Sequence, residues 1–410
     1  MRIAMVSEHA SPLAALGGVD AGGQNVHVAE LARAAARAGH EVEVWTRRDA
    51  PDLPAAVPFA PGVTVRHMDA GPAEPVPKDQ LVPHVPRMAQ VLEDAWTADP
   101  PDVVHGHFWM SGLAAVAAAR RPGVPVVQTF HALGAVKRRH QGEEDTSPRG
   151  RVSAELAVAN RAARVIATCS DEAFELARLG VPRTRVSIVP CGVDTEQFTA
   201  QGPVSADGVP DRRPGVPRIV SVGRLVRRKG VDELITALRR VPKAELLVAG
   251  GPPPAHLDAD PDVARLRAAA AAAGVADRVR FLGAVPRDAV PPLLRSADAV
   301  VCVPWYEPFG MVPLEAMACG TAVVASAVGG LTDTVVDRIT GLHVPARRPD
   351  QLAAALRDLL AAPAMVEAFG IAGRDRAVSC YGWDRIAASV VGVYEQALAA
   401  PAPTADRIAR

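Results

Sequence analysis

The stretch RIVSVGRLVRRKGVDELITALRRVPKAELLVAG, residues 218–250, decides the fold. It begins with the β-branched run RIVSVG, passes through a basic loop into a segment of helical period from Val231, and ends in a second apolar run, ELLVAG. A strand, a helix and a strand joined in this order predict a βαβ unit whose two strands are parallel.

The same alternation continues on both sides of this stretch. Toward the C-terminus it is carried by the apolar runs RVRFLG (278–283), AVVCVP (299–304), TAVVAS (321–326) and GLHVP (341–345). Toward the N-terminus it is carried by RIAMV (2–6), VEVW (42–45), DVVH (102–105) and VPVVQTF (124–130). Helical segments separate these runs, and the first, at about residues 23–38, places Val28, Leu31, Ala32 and Ala35 on one face.

The alternation is interrupted at residues 198–217, where glycine, proline and charged residues replace the apolar period. This composition predicts a linker. The chain is therefore expected to form an N-terminal Rossmann-like domain over 1–197 and a second one over 218–382. Ligands of open α/β sheets bind at the carboxyl ends of the strands, so a ligand is expected in a cleft between the domains.

Composition excludes several classes of function. A chain of 410 residues is longer than a single core usually supports. Its 45 basic and 45 acidic side chains balance, which argues against a nucleic-acid partner. No apolar run is long enough for a membrane span or an export signal, and the five cysteines are scattered without a C-x-x-C pair. A cytoplasmic protein without disulfides or a zinc site is expected, and a homodimer is among the assemblies left open.

Two loops have the residues of a phosphate site. In GRLVRRKG (223–230), Arg224 and Lys229 lie between a strand and a helix, where both can reach a diphosphate; a solvated basic loop is the alternative. In GGVDAGGQN (17–25), Gly22 and Gly23 open the first helix and let its amides approach a phosphate. This loop is not G-x-G-x-x-G, so a dinucleotide site is disfavoured, and a flexible turn is the alternative.

The segment EPFGMVPLEAMACG (307–320) follows an apolar strand. Glu307 is expected in the loop, and Glu315 in the first turn of the next helix, where the helix dipole alone could explain a carboxylate. The pair suits a polyhydroxyl ligand, because carboxylates accept from sugar and ribose hydroxyls. Backbone amides from three residues would line the same corner: Gly310, Met311 and Val312.

E-P-F-G-M-V-P-L-E, together with G-R-L-x-x-x-K-G, resembles the family 4 retaining glycosyltransferases, nucleotide-sugar enzymes of the GT-B fold. The resemblance runs from Met1 to about Leu398 and implies that a C-terminal helix, 383–398, crosses back to the first domain. It implies that Arg224 and Lys229 hold the donor diphosphate. It also implies that Glu307 contacts the donor sugar, that Glu315 holds the ribose, and that Gly22 and Gly23 approach the phosphate.

His131 of QTFHALG matches a family histidine beside the donor sugar. The resemblance thus implies four catalytic candidates: His131, Arg224, Lys229 and Glu307. A lone histidine after a strand is more often a structural hydrogen-bonding residue, and the accompanying motifs reverse that expectation.

Two subgroups of the family are the most similar. DAGGQNVHVAELARAAARAGHEVEVWTR and VVHGHFWMSG resemble the actinobacterial transferase that places N-acetylglucosamine on inositol 3-phosphate in mycothiol synthesis. The loop also resembles sucrose synthase and sucrose-phosphate synthase. Acceptor-contacting positions of the first subgroup map onto Asn25, Lys78, Phe108, Ala132 and Arg151. Phe108 stands where that enzyme has a phosphate-binding tyrosine, and Ala132 stands where it has a threonine. Because two hydroxyl groups are missing, inositol phosphate is disfavoured as the acceptor.

The resemblance implies a front-face substitution from a nucleotide-sugar, with UDP the expected nucleotide, to a small polar polyol or cyclitol. Glu307 is then not a covalent nucleophile, and neither a metal nor a cofactor is required. The D-x-D pattern at residues 258–260 follows GGPPPAHL and is interpreted as a polar loop, not a manganese site. An epimerase or hydrolase of the GT-B fold is the alternative of another class, and a bilobed sugar-binding protein would need an export signal.

Overall fold

The computed structural model describes residues 1–14 and 22–399, and the chain divides into two compact units. Unit 1 comprises Met1–Cys191 and the C-terminal segment that begins at Trp383, and unit 2 comprises Gly192–Gly382. Each unit contains one sheet whose strands are connected mainly by helices. The predicted α/β class with two sheets is confirmed.

Unit 1 has an eight-stranded sheet of order β3-β4-β2-β1-β5-β6-β7-β8. All neighbouring strands are parallel except β3 and β4, which are antiparallel at one edge. Its strands are β1 (Arg2–Val6), β2 (Glu41–Arg47), β3 (Ala56–Ala60), β4 (Val63–Met68), β5 (Val103–His107), β6 (Val126–Thr129), β7 (Arg164–Ala167) and β8 (Val186–Ile188).

The helices between these strands are α1 (Gly23–Arg37), α2 (Val85–Ala98), α3 (Trp109–Ala118), α4 (Gly134–Gln141), α5 (Arg151–Arg161) and α6 (Ser170–Arg178). Helix α1 begins at the predicted residue, and the four apolar side chains predicted to share a face are all buried: Val28, Leu31, Ala32 and Ala35. The helical period of the sequence therefore identified the side of α1 that packs on the sheet.

Unit 2 has a six-stranded, fully parallel sheet of order β11-β10-β9-β12-β13-β14. Its strands are β9 (Arg218–Val222), β10 (Glu245–Ala249), β11 (Val279–Gly283), β12 (Ala299–Cys302), β13 (Val323–Ser326) and β14 (Gly341–Val344). Its helices are α7 (Val231–Leu238), α8 (Pro261–Ala272), α9 (Val290–Arg295), α10 (Met311–Ala318), α11 (Leu331–Thr334), α12 (Pro349–Leu360) and α13 (Pro363–Tyr381).

The order of unit 2 reverses beside β9, since β10 lies on one side of it and β12 on the other. This reversal places the loops after β9 and β12 side by side at the carboxyl edge of the sheet. Open α/β sheets bind ligands at such a point.

The segment 198–217 belongs to unit 2, because the units divide before it, at Cys191 and Gly192. It is attached through Arg218, which is fully buried, pairs with Glu245 at 2.7 Å and donates to the carbonyls of Pro210 and Asp211. The segment is held by these contacts of its backbone carbonyls and also by the buried side chains of Phe198 and Val209.

The last helix, α14 (Trp383–Ala399), belongs to unit 1 and packs against α1. Asp384 pairs with Arg37 of α1 at 2.6 Å, and the hydroxyl of Tyr394 shares a hydrogen bond of 2.7 Å with His105 of β5. Among the described residues, no helix is both long enough and apolar enough to cross a membrane.

Candidate functional site

The basic loop of unit 2 runs from the end of β9 to the start of α7. Arg224 is exposed in this loop, and the 3₁₀ turn Arg227–Lys229 leads to Gly230, which has a φ of 75°. A Cβ at Gly230 would overlap the carbonyl oxygen of Val303. Glycine therefore lets the turn press against the end of β12, where the next loop begins.

The loop after β12 is bound to this basic turn at two points. The Trp305 amide donates to the Arg228 carbonyl at 2.8 Å, and the ammonium group of Lys229 forms an ion pair with the carboxylate of Glu307. Both side chains of the ion pair are mostly buried, with 26% and 16% of their surface exposed. The two motifs that the sequence analysis singled out are therefore in direct contact.

Glu307 is an ionised carboxylate. Burial raises its pKa, but the positive charges of Lys229, Arg228 and Arg224 outweigh burial and hold the pKa below its ordinary value. For Arg228, burial lowers the pKa and the charge of Glu307 opposes this effect. Three cations, Lys229, Arg228 and Arg224, thus act on the carboxylate of Glu307.

The backbone after Glu307 is fixed by the loop that follows β13. The Gly330 amide donates to the Glu307 carbonyl at 3.0 Å. Gly310, with a φ of 91°, is the N-terminal cap of α10, and a Cβ there would overlap the side chain of Leu331. Helix α10 begins at Met311, so the amides of Met311 and Val312 are among the first four, which have no partner within a helix.

Glu315 does not lie in the first turn of the helix, and the prediction is wrong on this point. It is the fifth residue of α10, in the second turn. The helix starts at Met311, directly after the left-handed Gly310, so four helical residues precede Glu315. The buried carboxylate of Glu315 instead pairs with Arg287 at 2.6 Å, and this guanidinium lies 4.5 Å from the ring of Phe198.

Unit 1 contains a group of four imidazoles, which we call the imidazole cluster: the buried His27 of α1, the buried His105 and His107 of β5, and the half-buried His131 after β6. Nδ1 of His107 and Nε2 of His131 share a hydrogen bond of 3.0 Å. His105 is held by Tyr394 and by the Thr129 hydroxyl at 2.9 Å. His131 has a φ of 60°, a backbone conformation that is rare outside glycine.

All four imidazoles are neutral at neutral pH. Burial lowers the pKa of His27 to about 4. Burial, assisted by the neighbouring His27, lowers the pKa of His105 to about 3. The pKa values of His107 and His131 are also well below the ordinary value, mainly through burial and then through the other imidazoles. His131 is therefore a neutral hydrogen-bonding group and not a source of positive charge.

Three predicted acceptor residues come together at a second corner of unit 1. The guanidinium of Arg151 lies 5.0 Å from the ring of Phe108 and donates to the Ala132 carbonyl at 2.5 Å. The edge of His9 contacts the same ring, with centroids 4.9 Å apart. Arg151 is buried and pairs with Glu155 at 2.8 Å, so its charge is already neutralised within the unit.

Glu155 also accepts from the Gly134 amide at 2.9 Å, with both carboxylate oxygens. Burial raises its pKa, and the charge of Arg151 opposes that rise. The carboxylate therefore anchors Arg151 and the start of α4 at one point.

The remaining predicted residues of unit 1 lie around the start of α1 and in a separate turn. Asn25 is buried, accepts from the Gly22 amide at 3.0 Å and donates to the Ser11 carbonyl at 3.0 Å, so its amide group links Gly22 to Ser11. Gly22 caps α1 and Gly23 is its first residue. Lys78 begins a 3₁₀ turn before α2. The part of the predicted phosphate loop at 17–21 lies outside the described residues.

Comparison with known proteins identifies the family. The profile of "Glycosyltransferase Family 4" matches residues 21–197, and that of "Glycosyl transferases group 1" matches residues 208–376. The D-inositol 3-phosphate glycosyltransferase of Kribbella flavida is 38% identical over 97% of this chain and 96% of its own length. The chain belongs to glycosyltransferase family 4.

Two further relatives extend this result. The D-inositol 3-phosphate glycosyltransferase of Geodermatophilus obscurus is 37% identical to this glycosyltransferase over 99% of the chain and 92% of its own length. Sucrose-phosphate synthase from Thermosynechococcus elongatus superposes with a TM-score of 0.87 at 32% identity, covering 98% of this chain and 100% of the other. The family and the GT-B fold implied by the sequence motifs are confirmed.

The structure of the glycosyltransferase also shows residues that sequence reasoning missed. Arg228 contributes to the charge around Glu307, Arg287 pairs with Glu315, and Glu155 neutralises Arg151. Arg287 lies 28 positions before its partner Glu315, and Glu155 lies four positions after its partner Arg151. Only the second spacing, i and i+4 on a helix, is a signal that the sequence could have provided.

The D-x-D pattern of the glycosyltransferase has other partners. Asp258 pairs with Arg267 at 2.5 Å, and Asp260 accepts from the Val263 amide at 2.9 Å. Asp260 thus serves as the N-terminal cap of α8, a common role for aspartate immediately before a helix.

Proposed function

We propose that this glycosyltransferase moves a sugar from a UDP-sugar to a small polar polyol or cyclitol, with retention of configuration, by front-face substitution and without a metal ion. The observation that carries the proposal is the group of three cations around Glu307, beside the switch in strand order of unit 2. Arg224, Arg228 and Lys229 all lie close enough to lower the pKa of Glu307, and Lys229 forms an ion pair with it.

Cations gathered at one edge of the sheet suit a diphosphate. As the bond between the sugar and the diphosphate breaks, negative charge grows on the leaving group, and cations fixed in place stabilise that charge most in the transition state. We assign the diphosphate to Arg224 and Lys229, the donor sugar to Glu307 and His131, and the ribose to Glu315. The amides of Gly310, Met311 and Val312 add donors at the start of α10.

The corner around Phe108 supports an acceptor that presents hydroxyl groups instead of phosphate. Phe108 and Ala132 have no hydroxyl to donate, and Arg151 already carries the counter-charge of Glu155. A phosphate there would have to compete with a buried carboxylate 2.8 Å from the guanidinium. The relatives named for D-inositol 3-phosphate support a cyclitol, and this corner supports its unphosphorylated form.

The decisive experiment is a donor and acceptor screen read by mass spectrometry. UDP-, ADP- and GDP-sugars are each combined with inositol, inositol 3-phosphate, other polyols and fructose 6-phosphate. We expect product from a UDP-sugar and an unphosphorylated cyclitol or polyol, with an unchanged anomeric configuration by NMR and full rate in the presence of a chelator. Inositol 3-phosphate as the best acceptor would refute the argument from Phe108 and Ala132.

A sucrose-phosphate-forming transferase is the second candidate, because the solved sucrose-phosphate synthase is similar over nearly the whole chain. Formation of sucrose phosphate from fructose 6-phosphate in the screen would select it. Consumption of UDP-sugar without any acceptor would instead indicate a hydrolase or an epimerase.

A further inference from the structure

Three members of the imidazole cluster lie close enough to each other to bind one ion. They are His27, His107 and His131, and one ring nitrogen of each lies within 4.8 Å of the others. Their ring centroids are 4.9, 5.3 and 5.7 Å apart and so form a nearly regular triangle. The three residues come from α1, β5 and the loop after β6, so only the fold brings them together.

The dimensions of this triangle match those of a metal centre. A tetrahedral ion with metal–nitrogen bonds of about 2.0 Å holds its ligand nitrogens about 3.3 Å apart and the centroids of its imidazoles about 5 Å apart. Nδ1 of His107 and Nε2 of His131 are 3.0 Å apart. Small rotations of the rings would therefore place an ion where these two nitrogens now share a proton.

Two ring nitrogens of the triangle have no hydrogen-bond partner within the described parts of the chain, 1–14 and 22–399. Nδ1 of His27 and Nε2 of His107 are both buried and unpaired. A buried polar atom without a partner costs on the order of 1–3 kcal/mol, so such atoms call for an explanation. An ion that accepts the lone pair of Nδ1 of His27 would provide one for that atom.

We propose that His27, His107 and His131 form a binding site for a transition-metal cation, with Zn²⁺ as the preferred ion. Imidazole nitrogens suit Zn²⁺, Ni²⁺, Co²⁺ and Cu²⁺, whereas Mg²⁺ and Ca²⁺ prefer the oxygen ligands that this triangle lacks. Three protein ligands leave one coordination position for water or another small ligand. His131 is the most exposed of the three side chains, so an ion would reach the site from its side.

The site has a consequence for activity, and this part rests on the proposed function. An ion bound to His131 would occupy the side chain assigned to the donor sugar, so Zn²⁺ would act as a reversible inhibitor of transfer. The protein would still bind UDP through unit 2, which contains Arg224, Lys229 and Glu315, the residues assigned to the diphosphate and the ribose.

The test begins with binding alone. Protein freed of metal by a chelator is titrated with Zn²⁺ by calorimetry and with Co²⁺ by visible absorption. We expect one ion per chain, an intense tetrahedral Co²⁺ spectrum, and an affinity lowered at least about tenfold in His27→Gln. His40→Gln is the matched control, because its imidazole lies 3.2 Å from the N-terminal amine and offers a rival nitrogen pair. Cys380→Ser removes the exposed thiol, and both controls should bind as the parent does.

Absence of binding in the parent, or equal affinity in His27→Gln and the parent, would overturn the proposal. If His27→Gln does not fold, as judged by circular dichroism, the parent supplies the answer through ¹⁵N NMR of its histidines, since Zn²⁺ must shift the resonances of the three ring systems together. Turnover measured with and without Zn²⁺ then tests the metal site and the role of His131 at the donor sugar separately. Zinc bound at the cluster with transfer unaffected would support the site and refute the assignment of His131 to the donor sugar.

Discussion

The substitution Glu307→Gln tests the proposed division of roles between the two glutamates. It keeps the shape of the side chain and removes the negative charge that interacts with Arg224, Arg228 and Lys229. Two opposite effects follow. The fold of unit 2 loses the ion pair with Lys229, while a bound diphosphate meets a more positive site.

The magnitude follows from the burial of the pair. Exposed ion pairs contribute about 0–1 kcal/mol, and breaking a fully buried pair costs about 3–5 kcal/mol. With 26% and 16% of the two side chains exposed, this pair lies between the limits. We expect the free energy of unfolding to fall by about 1–3 kcal/mol, and UDP to restore part of the loss because its diphosphate replaces the missing charge.

The assay combines calorimetry with UDP, thermal unfolding with and without UDP, and single-turnover transfer. UDP should bind at least as tightly as it does to the parent, while turnover falls on the order of 100-fold because the contact to the reacting sugar is lost. In the parent, the lowered pKa of Glu307 means that its stabilisation is complete above the ordinary carboxyl pKa. That stabilisation is lost as pH falls through the lowered value, and Glu307→Gln should lack this acid-dependent loss. Weaker UDP binding with intact turnover would refute the reasoning.

Three further substitutions test the remaining parts of the donor site. Lys229→Ala should weaken the binding of UDP by about 2–4 kcal/mol in calorimetry. Arg227→Ala, which changes an exposed neighbour in the same turn, should alter UDP binding little. Equal losses in the two variants would indicate a diffuse charge effect. Glu315→Gln should weaken the binding of both UDP and UDP-sugar at least tenfold, since it also breaks the ion pair with Arg287. Unchanged UDP binding would refute the assignment of Glu315 to the ribose. Gly230→Ala should lower the free energy of unfolding by about 3 kcal/mol in denaturant titrations, because a Cβ there overlaps Val303; a loss below about 1 kcal/mol would show that the turn adapts.

The strand and helix pattern predicted the two sheets because apolar period is a local property of the sequence. Helix α1 is the clearest case, since its buried face follows directly from the spacing of its apolar residues. Glu315 was assigned to the wrong turn because α10 already begins at Met311, directly after the left-handed Gly310, and glycine in a sequence does not reveal its φ.

The candidate site was predictable only where its residues lie in a compact motif. Glu307 and Lys229 were each recognisable, but their ion pair depends on two loops, 78 positions apart, meeting at one sheet edge. The imidazole cluster was missed for the same reason, since His27, His107 and His131 come from three separate connections. Of these, only His131 belonged to a motif that pointed to a role.

The return of α14 to unit 1 has a consequence for the order in which the protein is made. Residues 192–382 are an insertion within unit 1, and the partners of Arg37 and His105 are Asp384 and Tyr394. As the chain emerges from the ribosome, unit 2 can be completed while unit 1 still lacks its last helix. The part of the protein that is synthesised first is therefore the last to reach its final packing, and a chain that stops at residue 382 would expose the face of α1 that α14 covers.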